Sequence, residues 1–430
     1  MNESVLHHVW QHRLFKQFSL KTCDGEAVEV IDAGRWNRDA GPDFFNAKVK
    51  IAGTIWAGNV EIHVESSDWY KHNHHLNPAY DNVVLHVVFV NNCDVFTSGG
   101  VRIPQILLNF TGEAQSKIES FLSDGDSLMR CKQNLSGIDS IFWNDWKQAL
   151  ILERLDKKCR DVYNQEEGFL DSDELFYRLI VRSFGTHLNA DAFLALSKNL
   201  PLKIIRKHQN QPLVLLALFA GVAGFLRNKA DDFNEEVIRE FLFLRKKYGL
   251  IEMGQERWRE LRTRPQNFPA NRLVQLVVVM LNYSLLKRIV FENTDLQQIK
   301  TNLLCIGKKG DDEITTLIKI QLHPFTRDFV DHLLINAVIP FVYSQEKMNA
   351  GSDVFEKIEV WLSEIKPEKN VLIRAWMQFD VELKNAFDTQ SLIQLTQFYC
   401  RERKCLRCRI GHQVLKKIIE VPGVLPDKQQ

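Results

Sequence analysis

The sequence predicts an α+β protein with two parts, a β-rich domain over residues 1–135 and a larger all-α region over residues 136–430. Strand-like runs crowd into roughly the first 110 residues, and the hydrophobic period changes from two to 3.6 near Ile138. A chain of 430 residues also exceeds what one hydrophobic core usually covers. Because hydrophobic residues make up 45% and charged residues 25%, as in ordinary globular proteins, we expect the chain to fold throughout.

The N-terminal part begins with a helix and continues with strands. Val5, Trp10 and Leu14 have helical spacing and predict a helix over residues 3–15. Alternating or β-branched runs then predict six strands, at residues 15–20, 27–31, 47–51, 54–64, 83–90 and 101–110. The Cys23-Asp-Gly turn between the first two strands predicts a hairpin.

The remainder of the chain has helical periodicity interrupted by prolines. The predicted helices include residues 212–226, 234–248, 271–290, 327–338, 353–363 and 388–400. We expect the domain boundary near residues 132–137, where the two patterns meet.

Charge and hydropathy exclude several classes of protein. Lys and Arg number 55 and Asp and Glu 54, so no whole-protein field attracts nucleic acid, and a polyanion would need a local patch. The longest apolar run, residues 213–226, has about 14 residues, whereas a membrane span needs about 20. The first residues lack the apolar stretch of a signal peptide. We therefore expect a cytoplasmic protein with no membrane partner, and nothing in the sequence predicts its oligomeric state.

Acidic residues and histidines concentrate on the central strands of the N-terminal part. Asp43 lies where a loop enters a strand. Side chains alternate across a strand, so Glu61, His63 and Glu65 share one face of the next strand. In a compatible register, His86 on the following strand faces Glu61 and His63. Asp43, Glu61, His63 and His86 form the candidate catalytic group.

Two chemistries fit this group. Asp43, Glu61 and a backbone carbonyl would form a hard oxygen site for Mg²⁺ or Mn²⁺ that activates water on a phosphate. Alternatively, imidazoles favour zinc, which would be bound by His63, His72, His74 and His86. A third interpretation is that Glu61, His63 and Glu65 are the solvated face of an antiparallel strand and that His86 is a core histidine.

These motifs resemble a family of bacterial proteins known as domain of unknown function 2851. The resemblance covers nearly the whole chain and includes the following segments: Gly41-Pro-Asp, residues 58–63, Ser67-Asp-Trp, His72-x-His74, residues 80–88, Phe184-Gly185, Asn189, residues 264–272 and Tyr399–Gly411. The family implies no established activity.

The N-terminal motifs also resemble the PD-(D/E)XK superfamily of restriction-endonuclease-like nucleases. That resemblance implies Asp43 and Glu61 as metal ligands, with the Ile62 carbonyl as a third oxygen. His63 stands where the superfamily has a lysine, and a neutral histidine would supply less positive charge to a phosphate. Lys48 or Lys50 could replace that lysine. The connection after Val64 looks too irregular for the expected crossover helix.

Three cysteines near the C-terminus, Cys400, Cys405 and Cys408, have the spacing C-x4-C-x2-C. Such a triplet can begin a zinc or iron–sulfur site, with His412 or a distant cysteine such as Cys131 as the fourth ligand. The alternative is reduced structural thiols. Five cations, namely Arg401, Arg403, Lys404, Arg407 and Arg409, surround the triplet and form the densest basic patch of the chain.

A second arginine-rich segment spans residues 262–272 and is interrupted by prolines. Arg264 and Arg272 are candidate substrate contacts, together with His72 and His74, because guanidinium groups suit phosphate. The alternative is that the arginines hold the loop in place.

The leading interpretation is a metal-dependent phosphodiesterase acting on nucleic acid. The alternatives are a non-catalytic scaffold or ligand-binding protein with a degenerate metal site, and a histidine-based zinc hydrolase.

Overall fold

A computed structural model of the chain has a mixed β-sheet followed by a mostly helical region, which confirms the α+β class. The structure describes residues 1–15, 20–37, 39–123, 129–131, 135, 138–162, 171–228, 230–261, 263–292, 295–308, 312–348, 354–379 and 381–420. Most of the expected strand at residues 15–20 and of the expected boundary at residues 132–137 lies outside the described residues.

The sheet has six strands: β1 Val28–Asp32, β2 Arg35–Trp36, β3 Phe44–Ile51, β4 Thr54–Glu65, β5 Val83–Val90 and β6 Gln105–Leu107. The strand order is β1-β3-β4-β5-β6, with β2 paired to β3. β3 is antiparallel to β1 and β4, whereas β4–β5 and β5–β6 are parallel. The last strand is shorter than the predicted run over residues 101–110.

Twenty α-helices accompany the sheet in the described residues: α1 Glu3–Gln11, α2 Asp68–Lys71, α3 Gly112–Ser123, α4 Ser140–Arg160, α5 Ser172–Phe184, α6 Ala190–Asn199, α7 Leu202–Ile205, α8 Pro212–Val222, α9 Phe225–Asn228, α10 Glu235–Tyr248, α11 Pro269–Leu281, α12 Tyr283–Glu292, α13 Leu296–Lys308, α14 Asp312–Leu317, α15 Arg327–Leu333, α16 Ile339–Met348, α17 Val354–Glu364, α18 Val371–Trp376, α19 Ala386–Gln394 and α20 Arg409–Glu420. Two π-helical segments, Leu334–Val338 and Leu395–Cys400, interrupt this pattern.

The chain divides into two compact units. The first, hereafter the sheet unit, contains Met1–Trp146, Gln378–Val381 and Leu395–Gln430, and the second, the helical unit, contains the remaining residues. This division differs from the expected one because the chain returns to the sheet unit at Leu395. The cysteine triplet therefore belongs to the sheet unit, whereas the sequence places it at the end of the helical region.

The helical unit is built around a large apolar core. Helix α8 is buried along most of its length, and the expected helix over residues 271–290 is two helices, α11 and α12, bent by 70°. Among the described residues no single helix has the length and apolar character to cross a membrane, and this bent pair passes that test only by length and composition.

Candidate metal centre

Strand β4 is buried on both faces at the point where the acidic and histidine residues lie. Val60 and Ile62 face one side, and Glu61 and His63 face the other, with exposed fractions of only 4% for Glu61 and 1% for His63. The solvated-face interpretation is therefore wrong for these two side chains. β4 is an inner strand here, because β3 pairs with it on one edge and β5 on the other.

Asp43 and Glu61 are joined through the backbone. The Asp43 N–H donates to Glu61 Oε2 at 3.0 Å, and the Ile62 N–H donates to Asp43 Oδ2 at 2.9 Å. Phe44 pairs with Val60 in the β3–β4 register, which places Asp43 directly beside Glu61. The structure thus brings together the two carboxylates that the sequence singles out.

The connection between the parallel strands β4 and β5 carries the histidines to Glu61. It consists of the short helix α2 and two 3-10 helices, His74–Leu76 and Pro78–Tyr80, rather than one long crossover helix. Asn73 has a left-handed backbone conformation, with φ of 59°, and turns the chain between His72 and His74. Tyr80 stacks on His74 with the ring centroids 3.9 Å apart.

Four ligand atoms adjoin one another here: Glu61 Oε1, His63 Nε2, His72 Nδ1 and His74 Nε2. The group whose members all lie within 4.8 Å of one another consists of the three histidines without Glu61. His63 Nε2 is 3.2 Å from His72 Nδ1 and 3.6 Å from Glu61 Oε1, which is 3.2 Å from His74 Nε2. A tetrahedral ion with bonds of about 2.0–2.1 Å places its ligand atoms about 3.3 Å apart. The three histidines are therefore close enough to share a single ion of the zinc type, and the Glu61 carboxylate contacts two of them, His63 and His74.

His86 contacts this group through Nδ1 of His63, the ring nitrogen that is not one of the four ligand atoms. The register pairs Glu61 with His86, as expected, and His86 Nε2 lies 2.9 Å from His63 Nδ1. The other His86 ring nitrogen is 3.4 Å from the Gln105 side-chain amide. Both nitrogens of His86 are thus engaged away from the four ligand atoms, so His86 fits a role in orienting His63 rather than that of a metal ligand.

Burial keeps the imidazoles of His63 and His86 neutral. It lowers the pKa of His63 to about 2, with His86, His74 and His72 adding to the effect, and it lowers the pKa of His86 to about 3. Burial, followed by the Asp43 carboxylate, raises the pKa of Glu61 to about 9. Neutral imidazole is the form that binds a metal ion.

The sequence did not single out His7, on the opening helix α1. His7 Nε2 lies 3.1 Å from Asp43 Oδ2 and 3.8 Å from Glu3 Oε1. Burial acts to lower the pKa of His7, but Asp43 and then Glu3 outweigh it, so the pKa is raised overall. A histidine at i+4 from a glutamate on a predicted helix was the available signal, but its distance in sequence from Asp43 concealed it.

The two lysines considered as replacements lie away from the centre. Lys48 pairs with Ala57 and Lys50 with Ile55, four and six residues before Glu61 on β4. At about 3.3 Å per residue this is roughly 13 and 20 Å along the strand, beyond the reach of a lysine side chain.

Arg264 and Arg272, in the helical unit, differ in their surroundings. Arg264 is exposed at the start of a 3-10 helix. Arg272 is buried, bonds to Gln275 and Asn267, and its guanidinium lies 3.5 Å from the centroid of the Phe329 ring. These contacts favour the alternative in which Arg272 holds the loop.

The C-terminal cysteines lie around a cavity in the sheet unit. Cys400, Cys405 and Cys408 line it together with Cys131. His412 does not join them but contacts His8, with 3.2 Å between His412 Nδ1 and His8 Nε2, and forms a separate cluster with His8 and His12. Burial raises the pKa of Cys131 to about 12 and that of Cys408 to about 11.

An open groove of about 600 Å³ lies beside these cysteines. Its walls combine three cations with aromatic rings, and they include Trp36, Phe398, Lys404, Arg407, Arg409 and His412. The Lys404 ammonium lies 4.1 Å from the centroid of the Phe398 ring, and the Arg407 guanidinium lies 5.9 Å from that of Trp36. Trp36 also approaches His7, with ring centroids 6.4 Å apart, and so connects the groove to the carboxylates.

Comparison with known proteins identifies one family. A family model described as protein of unknown function (DUF2851) matches residues 3–371. No curated protein and no solved structure matches the chain. The restriction-endonuclease-like resemblance of the N-terminal part thus stays a prediction.

Proposed function

This chain belongs to the family of proteins of unknown function DUF2851, and from that premise we propose that its sheet unit is a metal-dependent phosphodiesterase acting on nucleic acid. The observation that carries the proposal is the convergence of His63, His72 and His74, whose ligand atoms lie within 4.8 Å of one another, with the Glu61 carboxylate against His63 and His74 and Asp43 alongside. The four ligand atoms come from two elements, β4 and the connection that follows it.

The ligand set favours zinc or manganese over magnesium. The three imidazole nitrogens are borderline donors and the carboxylate oxygen is a hard donor, whereas magnesium prefers a set made of oxygen ligands and retains its waters. His72 is the exposed member of the set, so the site opens to solvent on its side. A divalent ion there would polarise a phosphoryl oxygen and acidify a water molecule.

We assign to His7 the role that lysine has in the PD-(D/E)XK superfamily. The pKa of His63 is too low for that residue to be charged at neutral pH, whereas Asp43 and Glu3 favour the imidazolium form of His7. Asp43 holds His7 on the helix side of Glu61. His7 is therefore placed to stabilise a phosphate or to protonate a leaving oxygen.

The groove supports nucleic acid as the substrate class. Cations that follow a backbone, together with rings that stack on bases, are how proteins bind single strands. Lys404 and Arg407 supply the charge, Trp36 and Phe398 supply the rings, and Trp36 reaches His7. Such a substrate agrees with the cytoplasmic location that the sequence predicts.

The test uses variants of neighbouring residues. Glu61→Gln and His74→Asn should each reduce metal-dependent cleavage of single-stranded DNA or RNA by orders of magnitude, because each removes a metal ligand. His75→Asn is the matched control, since His75 is adjacent in sequence but packs its ring against Tyr70. Cleavage would be followed on gels with Mg²⁺, Mn²⁺ or Zn²⁺.

A measurement of metal binding, together with the cleavage assay, distinguishes the catalytic proposal from the scaffold alternative. Calorimetric titration of chelator-treated protein should show divalent-ion binding that Glu61→Gln removes and His75→Asn retains. Binding without cleavage of single- or double-stranded substrates would favour the scaffold alternative. Equal behaviour of the His74 and His75 variants would refute the centre itself.

A further inference from the structure

Four thiols from distant parts of the sequence surround one cavity in the sheet unit. Cys131 is separated by more than 260 residues from the triplet, in which Cys400 ends a π-helical turn, Cys405 begins a 3-10 turn and Cys408 precedes α20. The cavity measures about 20 Å³, more than the roughly 10–15 Å³ that one water needs. Phe121, Leu395, Tyr399, Arg130 and Gly411 complete the lining.

The arrangement of the sulfur atoms favours an occupant larger than a single ion. A zinc ion with bonds of about 2.3 Å would hold four thiolates about 3.8 Å apart. All four cysteines are among the described residues, yet no three of their sulfur atoms lie within 4.8 Å of one another. The four thiols therefore surround a cavity and do not converge on the position of a single ion.

Groups that stabilise anionic sulfur lie at this cavity. Arg130 lines it and hydrogen-bonds to Cys405. The N–H groups of Ile410 and Gly411, in the first turn of α20, are directed at Cys408. A Cβ atom at Gly411 would lie 2.0 Å from the Cys405 carbonyl oxygen, so glycine permits the close approach of α20 to this turn.

We propose that Cys131, Cys400, Cys405 and Cys408 hold an iron–sulfur cluster. A cluster separates its four thiolates by an inorganic core of iron and sulfide, which fits sulfur atoms of which no three lie within 4.8 Å of one another. The spacing C-x4-C-x2-C with one remote cysteine is also a spacing used by cluster-binding proteins. This site is distinct from the centre at Glu61 and does not depend on the proposed phosphodiesterase activity.

The experiment is the chemical analysis of the full chain purified without oxygen. We expect roughly two or four iron atoms per chain, matched by acid-labile sulfide, and visible absorption that reduction bleaches. Iron and sulfide counts, with Mössbauer spectra, distinguish a two-iron from a four-iron cluster. Cys131→Ser should lose most of the sulfide, whereas Cys23→Ser, which changes an exposed cysteine of the same unit, should retain it.

Reconstitution of the wild-type protein tests the proposal even if Cys131→Ser fails to fold. Apoprotein incubated with ferrous iron and sulfide should regain the same stoichiometry and spectrum. Zinc in place of iron, lost on Cys405→Ser and accompanied by no sulfide, would overturn the cluster. So would wild-type protein that takes up no metal and no sulfide during reconstitution.

Discussion

The two candidate metal sites of the sheet unit differ in how far apart their ligands lie. At Glu61 and the three histidines the linked donor atoms are 3.2–3.6 Å apart, whereas the cysteine sulfurs spread around a cavity. The first arrangement suits one ion and the second suits a polynuclear core. Residue types suggest a class of metal, but donor separation decides how large the occupant is.

The largest expected effect comes from removing two cysteines at once. Cys405→Ser combined with Cys408→Ser should abolish iron and sulfide incorporation, because two of four thiolates cannot hold a cluster. Divalent-ion binding at Glu61 should be unchanged, since the sites share no ligand. Elemental analysis and calorimetry on the same preparation measure both. Loss of binding at both sites in a folded protein would show that they are not independent.

A smaller effect should follow from changing the residues that orient His63. His63 can offer Nε2 to a metal ion only when its Nδ1 carries the proton, which His86 Nε2 accepts. In the structure the Gln105 amide nitrogen, Nε2, lies 3.4 Å from His86 Nδ1, so His86 donates from Nδ1 only when the Gln105 amide turns to present its carbonyl oxygen. His86→Phe should therefore weaken metal binding by about 10–100-fold, measured by competition with a chelator.

Gln105 provides the matched test of this chain of hydrogen bonds. Gln105→Leu removes the acceptor and should weaken metal binding in the same direction as His86→Phe. Gln105→Glu keeps an acceptor and should retain the affinity. If the Leu and Glu variants bind metal equally, His86 only fills space beside His63.

Sequence reasoning found most of the ligands but not their grouping. Alternation along a strand was enough to place Glu61 and His63 on one face, and the pairing with His86 followed from strand order. Spacing could not show that the connection after β4 folds His72 and His74 back over Glu61, because an irregular loop has no period. The contact of His7 with Asp43 was beyond it because the two residues are far apart in the sequence.

The cysteine site shows the same limit at longer range. The C-x4-C-x2-C triplet is visible in the sequence, whereas the fourth thiol depends on a return of the chain from the helical unit at Leu395. Because residues 395–420 are helical, the sequence pattern groups them with the helical region. Packing assigns them to the sheet unit, where Cys131 is.

The close approach of α20 to the cysteine turn can be tested separately from the cysteines. Gly411→Ala should destabilise the protein by about 1–3 kcal/mol, because the new methyl group overlaps the Cys405 carbonyl oxygen. Gly112→Ala, at the start of α3, meets open space and should be nearly neutral. Chemical unfolding measures both. Equal stability of the two variants would mean that the turn can move away from α20.

The smallest expected effect concerns the groove, which adjoins the cysteine turn and approaches His7 through Trp36. Lys404→Ala and Arg407→Ala should each weaken binding of single-stranded nucleic acid a few-fold and lower the slope of log K against log salt by about 1. Lys117→Ala, which removes an exposed cation paired with Glu113 on α3, should leave the slope unchanged.

Cleavage at saturating substrate separates variants of the groove from variants of the metal centre. Variants of the groove should then recover cleavage, because they alter binding, whereas Glu61→Gln should not, because it alters the centre. A groove variant that loses cleavage at saturation while its salt slope stays unchanged would place Lys404 or Arg407 outside the path of the nucleic acid.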